Sequence, residues 1–251
     1  MIEWIDFEKK MEEYPIFTID NKSKQNIVLF GNCHVAPIGY FLNYLLDNKY
    51  NIYIIISWYC DKVGFENFDM TKVNNKILNI LQENCDIFLY QQHIKDYGVN
   101  ASIIEKLPNT KAIIYKLPNL RLVFTTLDKK EYDRSLEILS YNIEYSDFSN
   151  FDFIVNNIKT IRFFNTPEHP THYILYLLSK DIVNKINNNN KKITIEDYYN
   201  QYNRGDFKKI KEFISLPGFD EITSTNSKIT SISIDADYFN YIQLNEPYTN
   251  N

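Results

Sequence analysis

The 251-residue chain has only six glycines, and none falls in a G-x-G-x-x-G or G-x-x-x-x-G-K-[ST] pattern. Without a glycine-rich phosphate loop, a Rossmann dinucleotide enzyme or a P-loop NTPase is disfavoured. It has three cysteines, Cys33, Cys60 and Cys85, with no C-x-x-C pair. No apolar stretch approaches the roughly 18 residues of a membrane span. No block of Lys and Arg is long enough to track a phosphate backbone, and the net charge is −5, so nucleic acid is not an expected partner. The first residues, Met1 to Asp6, lack a basic region followed by an apolar stretch, the mark of a secretory signal. With an odd cysteine count, this leads us to expect reduced thiols and a cytoplasmic location.

What is present is apolar and aromatic. Apolar residues make up 44% of the chain and aromatics 16%, enough for a sizeable core. Asparagine occurs 31 times, most visibly from Asn187 to Asn190, and reads as compositional drift rather than chemistry.

Hydrophobic spacing alternates between strand and helix periods in the first half. Ile27 to Phe30, Ile52 to Ile56, Asp86 to Tyr90 and Lys111 to Tyr115 read as strands. Residues 35–47, 71–84 and 100–107 read as helices between them, after an amphipathic helix over 3–13. This pattern predicts a three-layer α/β/α fold with a mainly parallel sheet. Residues 130–142, 171–186 and 206–214 also read as helices, and Thr194 to Asp197 as a helix cap. We expect an α/β domain over 1–190. A helical or irregular extension over 191–251 is expected to pack on the same domain.

The stretch Val28-Leu-Phe-Gly-Asn-Cys-His-Val35 puts Cys33 just beyond the first core strand. In open parallel sheets, ligands bind beyond the carboxyl ends of strands. Gly31 allows a close turn there. The start of helix 35–47 is expected to offer the thiol a positive dipole end and free N–H donors. The alternative is that Cys33 is a small buried apolar residue. Cys85 precedes a strand and reads as core. A thiol nucleophile needs a base. Of the four histidines, His34 is adjacent to Cys33, and His93 follows the third strand. His169 and His172 lie in Asn165-Thr-Pro-Glu-His-Pro-Thr-His172, where two prolines stiffen a loop ahead of a helix. His169 is the first choice and His172 the second. A zinc site built from Cys33, His93, His169 and His172 lacks the usual ligand spacing, so no metal is assigned.

Four motifs in order, "FGNCH", "DIFLYQQ", "KLPN" and "EHPTHYIL", resemble the WcbI-type polysaccharide (capsule) biosynthesis family over roughly residues 26–185. That family is associated with acetyl transfer and binds coenzyme A. Its opening motif ends in Gln where this chain has His34, and Asn usually stands where this chain has Glu168. The order also resembles SGNH hydrolases, with Cys33 in place of their serine and His169 as base. Thr166 stands where their triad aspartate is expected, three residues before the histidine.

The resemblance implies an SGNH/flavodoxin-like scaffold with acetyl-coenzyme A as acyl donor and a glycan as acceptor. The implied catalytic residues are Cys33 and His169, with Gln91 or Gln92 completing an oxyanion hole and Gln91 preferred. The implied coenzyme A contacts are Gly31, Asn32, His34, Lys116, Asn119 and Arg121. Two mechanisms stay open: acyl transfer through Cys33, and direct transfer with His169 as base. A cysteine-based esterase or thioesterase and a non-catalytic glycan- or partner-binding module are the competing readings.

Overall fold

The computed structural model describes residues 16–56, 78–91, 108–122, 129–158, 163–166 and 169–202. The helices expected over 3–13, 100–107 and 206–214 lie outside the described residues, as do Cys60, Gln92, His93, Pro167, Glu168 and the start of the helix expected over 71–84.

A strand buried on both faces has to be apolar at every position rather than at alternate ones. The run after Gln25 meets this condition and forms β2, Asn26–Gly31, buried throughout. β3 (Asn51–Ile56) and β4 (Ile87–Gln91) are of the same kind. With β1 (Ile16–Ile19) and β5 (Ile113–Leu117) they make a five-stranded sheet in the order β1-β3-β2-β4-β5. β1 runs antiparallel on the edge against β3, and the other pairs are parallel. The fold is therefore α/β with a mixed, mainly parallel sheet.

Helix α1 (Val35–Leu45) follows β2 and leads to β3 on one side of it, while β4 lies on the other side. The strand order thus reverses at β2. In open α/β sheets the crevice at such a reversal, outside the carboxyl ends of the strands, is where ligands bind. Gly39 seats α1 on the sheet. A Cβ there would come within 2.5 Å of Ile54 Cδ1 and 2.9 Å of Ile54 Cγ1. The opposite face of the sheet carries Val28, Phe30, Ile55, Phe88 and Tyr90, packed with Leu81 and Cys85. Leu81 comes from a π-helical turn, Ile80–Asn84, just ahead of β4.

The amino-terminal edge of the sheet is held by asparagines. The Asn51 side chain accepts from the N–H groups of Asn21 (3.0 Å) and Ser23 (3.1 Å). It donates to Ser23 O (2.8 Å) and Asn26 Oδ1 (3.0 Å). Asn26 in turn donates to Asn84 O at 2.8 Å. Asn26 and Asn51 are buried, so these amides are structural, and the reading of asparagine as drift is corrected for this group. Asn109 explains why β5 starts at Ile113 and not at Lys111. Its side chain accepts from Lys111 N (2.8 Å) and donates to Cys85 O (2.8 Å), and its carbonyl accepts from Ala112 N (3.1 Å). The chain is still turning at 109–112.

Backbone contacts group the chain into two compact units, Met1–Pro118 and Asn119–Asn251. The second contains α2 (Lys129–Glu144), a 3-10 turn (Ser149–Asp152), α3 (Phe153–Asn157), a hairpin of β6 (Phe164–Thr166) and β7 (His169–Pro170), α4 (His172–Ile186) and α5 (Ile195–Tyr202). α2 buries Tyr132, Ser135, Leu139, Asn142 and Ile143, one helical stripe. Phe153, Phe163, Tyr198 and Tyr173 form a chain of ring contacts with centroids 5.0–5.9 Å apart. Thr171 caps α4, its side chain accepting from Ile174 N at 3.4 Å. A reciprocal pair caps α5: Asp197 accepts from Thr194 N (3.0 Å) and Thr194 accepts from Asp197 N (3.4 Å). Among the described residues no helix is long and apolar enough to cross a membrane.

Candidate functional site

The turn Gly31–Val35 joins the carboxyl end of β2 to α1. Of these five residues all are buried except Cys33, which is half-buried. Cys33 is therefore more open than Cys85, which is 3% exposed. Burial, together with the neighbouring Asp86 carboxylate, pushes the Cys85 thiol up to about 12. Its Sγ–H donates to Ile87 O at 3.3 Å. The expectation that Cys85 is a core residue holds.

Gln91 ends β4 beside this turn. The β2–β4 ladder stops at Phe30↔Tyr90, while the β2–β3 ladder continues to Gly31↔Ile56. Where β2 leaves β4, the Gln91 side chain replaces the backbone: its Oε1 accepts from Asn32 N–H at 2.7 Å. The side chain can lie there only because residue 31 has no Cβ. An added one would fall on Gln91 Oε1 and come within 2.9 Å of Gln91 Cδ and 2.6 Å of Val35 Cγ1. Gly31 is thus needed for close approach by its neighbours. Asn32 continues the relay, its Oδ1 accepting from His34 N–H at 2.9 Å.

This bonding corrects one expectation. The N–H groups around the start of α1 are not free donors. Val35 N–H goes to Asn32 O (3.1 Å) and Ala36 N–H to Cys33 O (3.3 Å), while residue 37 is a proline without an N–H. With the Asn32 and His34 bonds, four of the donors near the thiol already have acceptors. Their dipoles remain, and so does the positive end of the 11-residue α1.

The first unit brings together Gly31, Asn32, Cys33, His34 and Gln91. His34 is 1% exposed and Asn32 7%, so of the three residues expected to touch coenzyme A in this turn none is open. Lys116 is half-buried on β5, in register with Tyr90, whereas Gln91 is in register with Leu117. Lys116 and Gln91 therefore project from opposite faces of the sheet. In the second unit Asn119 is 4% exposed and accepts through its carbonyl from Arg121 N–H at 3.0 Å. Arg121 is half-buried.

His169, also in the second unit, is half-buried on β7, where it pairs with Thr166. Thr171 N–H closes the hairpin onto Phe163 O at 2.8 Å. The His-Pro element is thus strand-paired, which holds the imidazole on a defined backbone. Among the described residues no three His, Cys, Asp or Glu side chains cluster to hold a metal ion. No protein-family profile matches the chain, and no curated protein matches its sequence. The resemblance to WcbI-type proteins rests on the four short motifs.

Proposed function

We propose that this protein is a coenzyme A-dependent O-acetyltransferase acting on a capsular or surface polysaccharide precursor, built on a three-layer, SGNH/flavodoxin-like scaffold. The observation that carries the proposal is the exposure pattern at the β2–α1 turn. At the point where the strand order reverses, Cys33 alone among residues 31–35 is not buried. The motif resemblance supplies the reaction.

His169 takes the Cys33 proton, and the thiolate attacks the thioester carbonyl of acetyl-coenzyme A. A bond forms from Cys33 Sγ to the acyl carbon, and the bond to the coenzyme A sulfur breaks. The departing thiolate recovers the proton from His169. A sugar hydroxyl then attacks the acyl-cysteine and gives its proton to His169; the bond from the acyl carbon to Cys33 Sγ breaks, the acetylated sugar leaves, and the Cys33 thiolate takes the proton back from His169. The positive end of α1 favours both the thiolate and the developing oxyanion. Lys116 and Arg121 are the candidate cations for the coenzyme A phosphates, with Asn119 beside them in sequence.

The test is steady-state release of free coenzyme A from acetyl-coenzyme A, with and without glycan acceptors. Acceptor-stimulated release that Cys33→Ala and His169→Ala each reduce by at least a hundredfold supports transfer. Release that ignores every acceptor makes the protein a thioesterase. No turnover, with partner binding intact in Cys33→Ser, makes it a binding module.

A further inference from the structure

The relay between β4 and the β2–α1 turn gives Gln91 a task different from the oxyanion donor that the resemblance implies. We propose that Gln91 is a positioning residue. Its carbonyl oxygen holds the Asn32 N–H, Asn32 Oδ1 holds the His34 N–H, and together they fix the backbone on either side of Cys33. The proposal rests on the acyl-transfer reading for its kinetic consequence, but not for its geometry.

Three observations carry it. The Gln91 side chain occupies the first rung after the β2–β4 ladder ends, so it extends the sheet to the residue just before Cys33. It is 1% exposed and its Oε1 lies where a Cβ on Gly31 would fall, which suits a group facing backbone and not substrate. The donor it serves, Asn32 N–H, belongs to a buried residue. A buried donor left without an acceptor is costly, so the turn settles elsewhere when the oxygen is removed. The next residue in the chain is the nucleophile, and small misplacements of a nucleophile cost about a hundredfold in rate.

Two variants separate the roles of the amide. Gln91→Glu keeps an oxygen for the Asn32 N–H whether or not its carboxyl is ionised. Gln91→Leu, or Gln91→Met should the leucine variant not fold, keeps bulk and loses the acceptor.

Amide hydrogen exchange reads the geometry without reference to activity. We expect Asn32 to exchange at least about tenfold faster in Gln91→Leu than in the wild type or Gln91→Glu, while Leu29 and Leu89 keep their wild-type rates. Unchanged Asn32 exchange in the leucine variant overturns the relay. In the transfer assay we expect Gln91→Leu to lower kcat about ten- to a hundredfold with KM for acetyl-coenzyme A within about twofold, and Gln91→Glu to recover most of that loss. Equal loss in both variants with normal Asn32 exchange in Gln91→Glu assigns Gln91 to the oxyanion and overturns the positioning role. A wild-type protein without transfer activity sinks the acetyltransferase reading alone, because the exchange rates still decide the relay.

Discussion

Replacing Gly31 with alanine adds one carbon at the tightest point of the β2–α1 turn. The new Cβ would fall on Gln91 Oε1 and lie 2.6 Å from Val35 Cγ1 and 2.9 Å from Gln91 Cδ. Neither neighbour can swing into solvent, since Gln91 is 1% exposed and Val35 fully buried. Overpacking of this kind costs about 1–3 kcal/mol. Displacing Gln91 also leaves the Asn32 N–H without its acceptor, a further loss of about 1–3 kcal/mol. The sum, roughly 2–6 kcal/mol, corresponds to a fall in Tm of about 4–24 °C in a chain of this size.

A double-mutant cycle with Gln91→Ala isolates the clash. Removing Gln91 already forfeits the hydrogen bond and clears two of the three close contacts of the new methyl, leaving the one with Val35 Cγ1. The double variant should therefore be less destabilised than the sum of the single ones, by about 1–3 kcal/mol. Urea or thermal unfolding followed by circular dichroism measures all four corners. A Gly31→Ala protein within about 0.5 kcal/mol of the wild type, or strict additivity with Gln91→Ala, refutes the close packing of Gln91 over Gly31.

Three further outcomes are expected. At pH 8 a thiol titrating at about 12 is ionised to only about one part in ten thousand, against about a quarter for an ordinary cysteine; brief iodoacetamide treatment of the native protein, mapped by peptide mass, should label Cys33 and spare Cys85. Asn51→Ala deletes the side chain that makes four hydrogen bonds at the amino edge of the sheet, and should cost about 2–4 kcal/mol in urea unfolding. Burial raises the carboxyl of Asp181 above its ordinary range, against the lowering effects of Asn150, Lys185, Ile193 and Lys192. Folding then takes up protons, so its contribution to stability is full below the unfolded pKa and declines as pH rises through the folded one. Asp181→Asn should gain stability relative to the wild type as pH increases from 4 to 8, and an opposite trend in unfolding midpoints would refute the assignment.

The parts of the fold legible in the sequence are those that local patterns determine. β2, β3 and β4 are uninterrupted apolar runs because both faces of a central parallel strand are buried. α4 shows its start through Thr171 and its length through continuous apolar spacing. β1 was not anticipated: it is four residues long, and an antiparallel edge strand is recognised only through its pairing with β3. The β6–β7 hairpin is shorter still. The position of Cys33 at a strand end was legible because Gly31 and the following helical spacing mark the boundary. The task of Gln91 was not, because it depends on β4 lying next to β2, and strand order is a property of the whole sheet. The asparagines at 26 and 51 were unreadable for a related reason. Nothing local distinguishes a buried amide with satisfied partners from an exposed one in a chain so rich in this residue.

Acid-quenched mass mapping after mixing the protein with acetyl-coenzyme A, without acceptor, bears most directly on the central claim that half-buried Cys33, in the turn after β2, carries the acyl group. The account predicts one acetyl group on the peptide containing Cys33, removed on adding the glycan acceptor and absent in Cys33→Ala. Acetyl-coenzyme A turned over with Cys33 never modified, or acetylation that persists in Cys33→Ala, would contradict it.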